Sequence, residues 1–289
     1  MTSHELTPNF AGLVRGEVRK ISRQRSNWPL LSLAVVIGLV AGLVLSTGPT
    51  FRDAILHNPP QWYHGMNVVA FGFIAPILGG IVVLITSARL VAMEYSSGAI
   101  RVVLARGPGR LEFHLAKLTA LAIFIVLLLL LFLVFEVIYV GIMVPLNGGS
   151  LTAVASLPSW VWRDVGVHVL TAAISLSVCA LIGSAASAVG RSMAFGMAVA
   201  IGFFPASNFV TEVISIFSAR KPGFWAQLTT YLLSANLNVL PETLGHLRES
   251  MFTRPLIPVD VAHSLAVIGA YCLAFLAVGA VASRRDILE

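Results

Sequence analysis

Residues 67–101 read NVVAFGFIAPILGGIVVLITSARLVAMEYSSGAIR. From Asn67 to Ser87 this stretch carries no charge, and a polar segment opens at Glu94. A bilayer core of roughly 30 Å takes about 20 helical residues to cross. Such a run must satisfy its own backbone hydrogen bonds, which a helix does and an open strand does not. Five other apolar runs match it: Pro29–Thr47, Leu118–Val144, Val165–Val189, Met193–Phe217 and Ser264–Ser283. The predicted fold is all-α: a polytopic integral membrane protein whose residues 1–289 form a single transmembrane domain of six helices.

Composition agrees. With 57% hydrophobic and 11% charged residues, and a mean hydropathy of +0.88, a soluble fold could not cover its apolar surface. The net charge of +6 sits beside the spans, which points to anionic lipid headgroups rather than nucleic acid. Cys179 and Cys272 both lie within apolar runs and read as small packing residues. His57 and His64 share a loop without acidic or cysteine partners, so no metal site is expected.

Residues 9–27 precede the first run and have helical amphipathicity. Phe10, Leu13, Val14, Val18 and Ile21 recur on one side, while Arg15, Arg19, Lys20, Arg23 and Arg25 cover the other. An interfacial helix facing anionic lipid fits this pattern, and so does a basic tail that only sets topology. The following run is longer than a signal core and no A-x-A site follows it, so it reads as a retained helix. Basic residues near the N-terminus, in 88–117, at Arg191 and at Arg284-Arg285 outnumber those in the alternate loops about twofold, which predicts cytoplasmic termini. Trp62, Tyr63, Tyr139, Trp160, Trp162 and Trp225 would then lie near the outer interface. Gly190-Arg191-Ser192 leaves room only for a tight turn between the fourth and fifth spans. The external stretch 218–263 is apolar in part but broken by proline, so a short re-entrant or interfacial helical pair is expected there.

Chemistry-bearing motifs are absent. There is no G-x-x-x-x-G-K-[ST], no G-x-S-x-G and no H-E-x-x-H, so the chain is not expected to be an enzyme. The segment 88–117 is more informative. It carries Arg89, Arg101, Arg106, Arg110 and Lys117, places Ile100, Val103 and Leu104 at helical spacing, and is punctuated by Gly98 and Gly107-Pro108-Gly109. A short docking helix and a solvated basic loop both satisfy this pattern.

Glu94-x-x-x-Gly98-Ala99-Ile100-Arg101-x-x-Leu104-Ala105, followed by Arg110 and Lys117, resembles the signature of type-2 ABC transporter permeases. In that family the segment is the coupling helix that docks into an ATP-binding subunit. The resemblance extends to the interfacial N-terminal helix, the six spans and the long external segment. It implies a permease subunit, leaning to export, that binds no cofactor itself and leaves ATP and Mg to the ATPase. A second permease copy or a paralogue would complete the pathway. Glu94 would fix the helix end through a nearby arginine or backbone N–H groups, Ile100, Val103 and Leu104 would fill a groove on the partner, and Arg101 would meet an acid there. Ala99 departs from the family's threonine and removes a hydroxyl from that surface.

Within the spans, Glu136 reads as a vestibule group or a structural hydrogen-bond partner, and Glu212 as an interfacial carboxylate. Ala180, Gly183, Ser184, Ser187 and Ala188 permit close helix contact. Phe71, Phe73 and Pro76, with Phe203, Phe204, Pro205 and Phe209, would shape either a cavity for an apolar substrate or a packing surface. A secondary transporter or channel would call for inverted repeats and intramembrane ion ligands, and an intramembrane enzyme for a polar catalytic group near a span's centre. Neither pattern is found, and the sequence leaves the substrate open.

Overall fold

The structure, a computed structural model, describes residues 9–24, 49–96, 109–220, 223–245 and 259–284, with single positions between 29 and 42. Among the described residues every regular element is a helix. In chain order they are α1 (Phe10–Arg23), α2 (Pro49–His57), α3 (Pro59–Asn67), a π-helical segment (Val68–Gly79), α4 (Gly80–Ser96), α5 (Arg110–Leu146), α6 (Leu151–Ala155), α7 (Ser159–Gly190), α8 (Met193–Arg220), α9 (Phe224–Thr230), α10 (Leu233–Gly245) and α11 (Val261–Arg284).

Among the described residues four helices are long and apolar enough to cross a bilayer: Pro59–Tyr95, Arg110–Leu146, Ser159–Gly190 and Val261–Arg284. α8 adds a fifth long helix of 28 residues. The helices extend beyond the apolar runs that mark them, because hydropathy registers immersion whereas caps set the ends. α3 starts with prolines in its first turn, α5 follows Gly109, and α7 follows Pro158. α5 therefore reaches about 55 Å at roughly 1.5 Å per residue. The π-helical segment was not expected. It contains Pro76, which has no N–H to give to an α-helical ladder, so the wider hydrogen-bonding pattern sits where the regular one is broken.

α7 is the hub. It packs against α4, α8, α11, α10, α5 and the π-helical segment. Two glycines make its tightest crossings possible. A Cβ on Gly183 would lie 2.8 Å from the Leu84 carbonyl oxygen and overlap the Ser87 hydroxyl, and one on Gly196 of α8 would overlap Ser187. Around these contacts Phe71, Leu84, Leu121, Leu176 and Leu240 form the main core. Leu127, Leu130, Val134, Val137 and Ile138 of α5 face outward, an apolar surface suited to lipid. The turn after α7 places Arg191 at φ 48, a left-handed conformation for a residue that is not glycine.

Between residues 29 and 42, Gly42 packs closely on Tyr139. The Tyr139 hydroxyl donates to the Gly42 carbonyl at 2.8 Å, and a Cβ on Gly42 would meet the Tyr139 ring at 2.6 Å. Of the aromatic residues expected at one interface, Trp62, Tyr63 and Tyr139 are buried in a second core cluster with Ile55 and Val161, whereas Trp160, Trp162 and Trp225 are exposed. In the stretch 218–263, α9 and α10 form a helical pair seated on α8 by hydroxyls: Ser207 donates to Ser234 at 3.0 Å, and Ser234 to the Ser207 carbonyl at 2.9 Å.

Candidate functional site

At the end of α4 a four-membered ion cluster joins three helices. Glu94 comes from α4, Lys117 from α5, and Glu17 and Lys20 from α1. Lys117 lies 2.8 Å from one Glu94 oxygen and 3.0 Å from one Glu17 oxygen, and it donates to the Leu90 carbonyl at 3.1 Å. Lys20 pairs with the other oxygen of each acid. The Phe113 ring lies under both ammonium groups, 4.5 Å from Lys117 and 5.6 Å from Lys20. Glu17, Glu94 and Lys117 are all buried, and Lys20 is half-exposed.

Two carboxylates and two ammonium groups leave the cluster neutral, which is the condition for keeping ionised groups away from water. Burial works against the Lys20 charge, but hydrogen bonds to Glu17 and Glu94, and the charges of both acids, outweigh it and raise its pKa above the ordinary 10.5. α1 is set up for this docking. The Asn9 side chain accepts from the Ala11 N–H at its start, Val18 and Ile21 pack into the main core, and Arg15, Arg19 and Arg23 stay exposed.

Glu94 thus meets lysines rather than an arginine. Lys20, assigned from the sequence to the lipid-facing side, turns inward. Glu17 was missed altogether. Its signal was its phase: it is spaced with Val14 and Ile21, so an acid on the buried stripe of a basic helix needed a buried counter-charge. The neighbouring Arg110 guanidinium donates to the Arg284 carbonyl at 3.0 Å, tying the start of α5 to the end of α11. Gly98, Ala99, Ile100, Arg101, Val103, Leu104 and Arg106 lie outside the described residues.

Among the described residues the pathway candidates do not converge within the chain. Phe71 is fully buried in the core. Phe203 is half-buried against Phe275, their ring centroids 6.0 Å apart. Phe73 and Phe209 face outward, and the Phe204 side chain is outside the described set. Glu136 is buried on α5 and accepts a 3.2 Å hydrogen bond from the Asn67 amide, while Glu212 is exposed. A cavity lined by Pro76, Ser175, Cys179, Phe203, Asn208 and Asn238, among others, measures about 30 Å³, room for a water or two. No group of three metal-ligating side chains occurs among the described residues.

The family model described as "ABC-2 family transporter protein" matches residues 13–204. That stretch runs from α1 into α8 and contains all four members of the ion cluster. Comparison with curated proteins finds no match.

Proposed function

Because the chain belongs to the ABC-2 transporter family, and so is a membrane permease component of an ABC transporter, we propose that it forms the pathway of an exporter driven by separate ATPase subunits. In this reading six spans make half of the transport unit, and a second copy or a paralogue supplies the other half. Both termini face the cytoplasm of a cell membrane, with α1 at the lipid interface. ATP and Mg are held by the partner subunit.

The observation that carries the proposal is the ion cluster. It clamps the end of α4, where the chain enters the coupling segment, to α1 and to the start of α5. A force delivered to residues 97–108 would reach α4 and α5 together instead of bending one helix end. Glu94 and Lys117 hold that junction, and Arg110 extends it to α11. Ile100, Val103 and Leu104 fill a groove on the ATPase, and Arg101 and Arg106 face acids on it. Glu136 and the outward Phe73 and Phe209 belong to the pathway that two protomers would enclose.

The test is the double substitution Ile100→Ala with Arg101→Ala. Truncating a buried anchor costs about 1–3 kcal/mol of binding, and breaking a desolvated charge pair costs more. The variant should reach the membrane, yet lose the co-purifying ATPase or hydrolyse ATP without transport. Normal ATPase retention with normal transport would place the docking site elsewhere.

A further inference from the structure

Roughly 40 Å along the continuous helix from Glu94, at about 1.5 Å per residue, α3 meets α7 over titratable groups that the coupling reading does not use. His64 of α3 points at Asp164 of α7, its Nδ1 3.6 Å from Oδ2, beyond hydrogen-bond reach. His168, one turn along α7, has its Nδ1 2.8 Å from the Asp164 backbone carbonyl. The two imidazole rings are 6.0 Å apart between centroids. Asp164 and His168 are buried, and the His64 side chain is only 16% exposed.

We propose that these three residues form an acid-released clasp between α3 and α7. Neutral imidazoles suit the buried site, and His168 already has its backbone partner. Two protons would place two positive rings side by side, with one carboxylate, beside His64, to answer both. That carboxylate is shared with Arg163, whose Nε is 3.7 Å from its other oxygen.

Among the described residues the surrounding elements bring few charges: α10, which packs on α7 and accepts from the Arg163 guanidinium at the Gly245 carbonyl, carries Glu242. From α5 comes Glu136, which is taken up by the Asn67 amide. From α2 come Arg52, Asp53 and His57, all exposed. α6 has no titratable residue, and the π-helical segment presents Gly72, where a Cβ would lie 3.7 Å from the His168 ring. On α3 itself Tyr63 is buried in the aromatic cluster. His64 already touches water at one edge, so the buried His168 is the ring whose charge needs water, and parting α3 from α7 admits it.

The experiment is hydrogen exchange on the full chain in lipid nanodiscs from pH 7.5 to 5.0, corrected for the intrinsic pH dependence of exchange. Protection in 61–67 and 161–168 should fall severalfold on acidification, because the open form takes up protons that the closed form excludes. His64→Gln and His168→Gln should each remove most of that fall. A flat wild-type profile, or a fall that survives both substitutions, overturns the proposal. So does an equal fall in 264–275, which would mark general unfolding. Should His168→Gln fail to fold, His64→Gln, at the clasp's more exposed edge, decides alone.

Discussion

Replacing Lys117 with methionine isolates what the ion cluster is worth. Methionine keeps most of the side chain's apolar length and its contact with Phe113, and it removes the charge together with the hydrogen bond to the Leu90 carbonyl. Lys117 lies 2.8 and 3.0 Å from two buried acids and is itself buried, so its loss leaves Glu17 and Glu94 facing one half-exposed lysine. Breaking a buried pair by deleting one partner costs about 3–5 kcal/mol, because the remaining charge stays desolvated. Lys117→Met should therefore destabilise the protein by about that amount in surfactant-driven unfolding in mixed micelles. The reasoning makes a second demand. Adding Glu17→Gln restores neutrality, so the double variant should be about 1–3 kcal/mol more stable than the sum of the single effects predicts. A cost below about 1 kcal/mol for Lys117→Met, or simple additivity, would show that water screens these groups and that they do not fasten α1.

Gly183→Val should separate α7 from α4, since its first added carbon already lies 2.8 Å from a backbone oxygen; the expected loss is about 1–3 kcal/mol or more, read in the same unfolding assay. For Lys20 the raised pKa gives the sign of the pH dependence: its contribution is fully present below the unfolded value near 10.5 and is lost as pH rises through the folded value. Anisotropy of a fluorophore at exposed Ser22 should thus stay level from pH 8 to about 10.5 and fall above it, and Lys20→Gln should remove the transition. Glu136→Gln preserves an acceptor for the Asn67 amide and adds a donor for the unpaired Asn67 oxygen, so membrane yield should hold while transport falls. Normal yield with normal transport would remove Glu136 from the pathway.

Hydropathy was enough to place five long apolar helices, whereas the run Pro29–Thr47 lies largely outside the described residues. Asn67–Ser87, Leu118–Val144, Val165–Val189 and Ser264–Ser283 each fall inside a helix long enough to cross a bilayer, and Met193–Phe217 falls inside α8. The small residues of α7 were also legible, since Gly183 and Ser187 do sit at its closest crossings. The tertiary pairings were less so. Lys20 lies among arginines that stay exposed, and only the three-dimensional meeting of α1 with Glu94 and Lys117 turns it inward. His64, Asp164 and His168 come from two helices nearly a hundred residues apart, so no local spacing announces them. The aromatic residues misled for a related reason: amphipathic rings favour an interface, but Trp62 and Tyr63 found a protein neighbour there before they found lipid.

The ion cluster also constrains the order in which the chain can be assembled. Glu17 leaves the ribosome early, whereas Lys117, its closest buried counter-charge, lies 100 residues behind it. At a synthesis rate of about 5–20 residues per second the interval is on the order of 5–20 s. During that time α1 carries a carboxylate that the membrane interior would reject, so it must wait in the headgroup layer or in water while the helices behind it are inserted. Docking of α1 then waits at least until Lys117 has emerged, and a chain that stalls before Lys117 leaves α1 undocked.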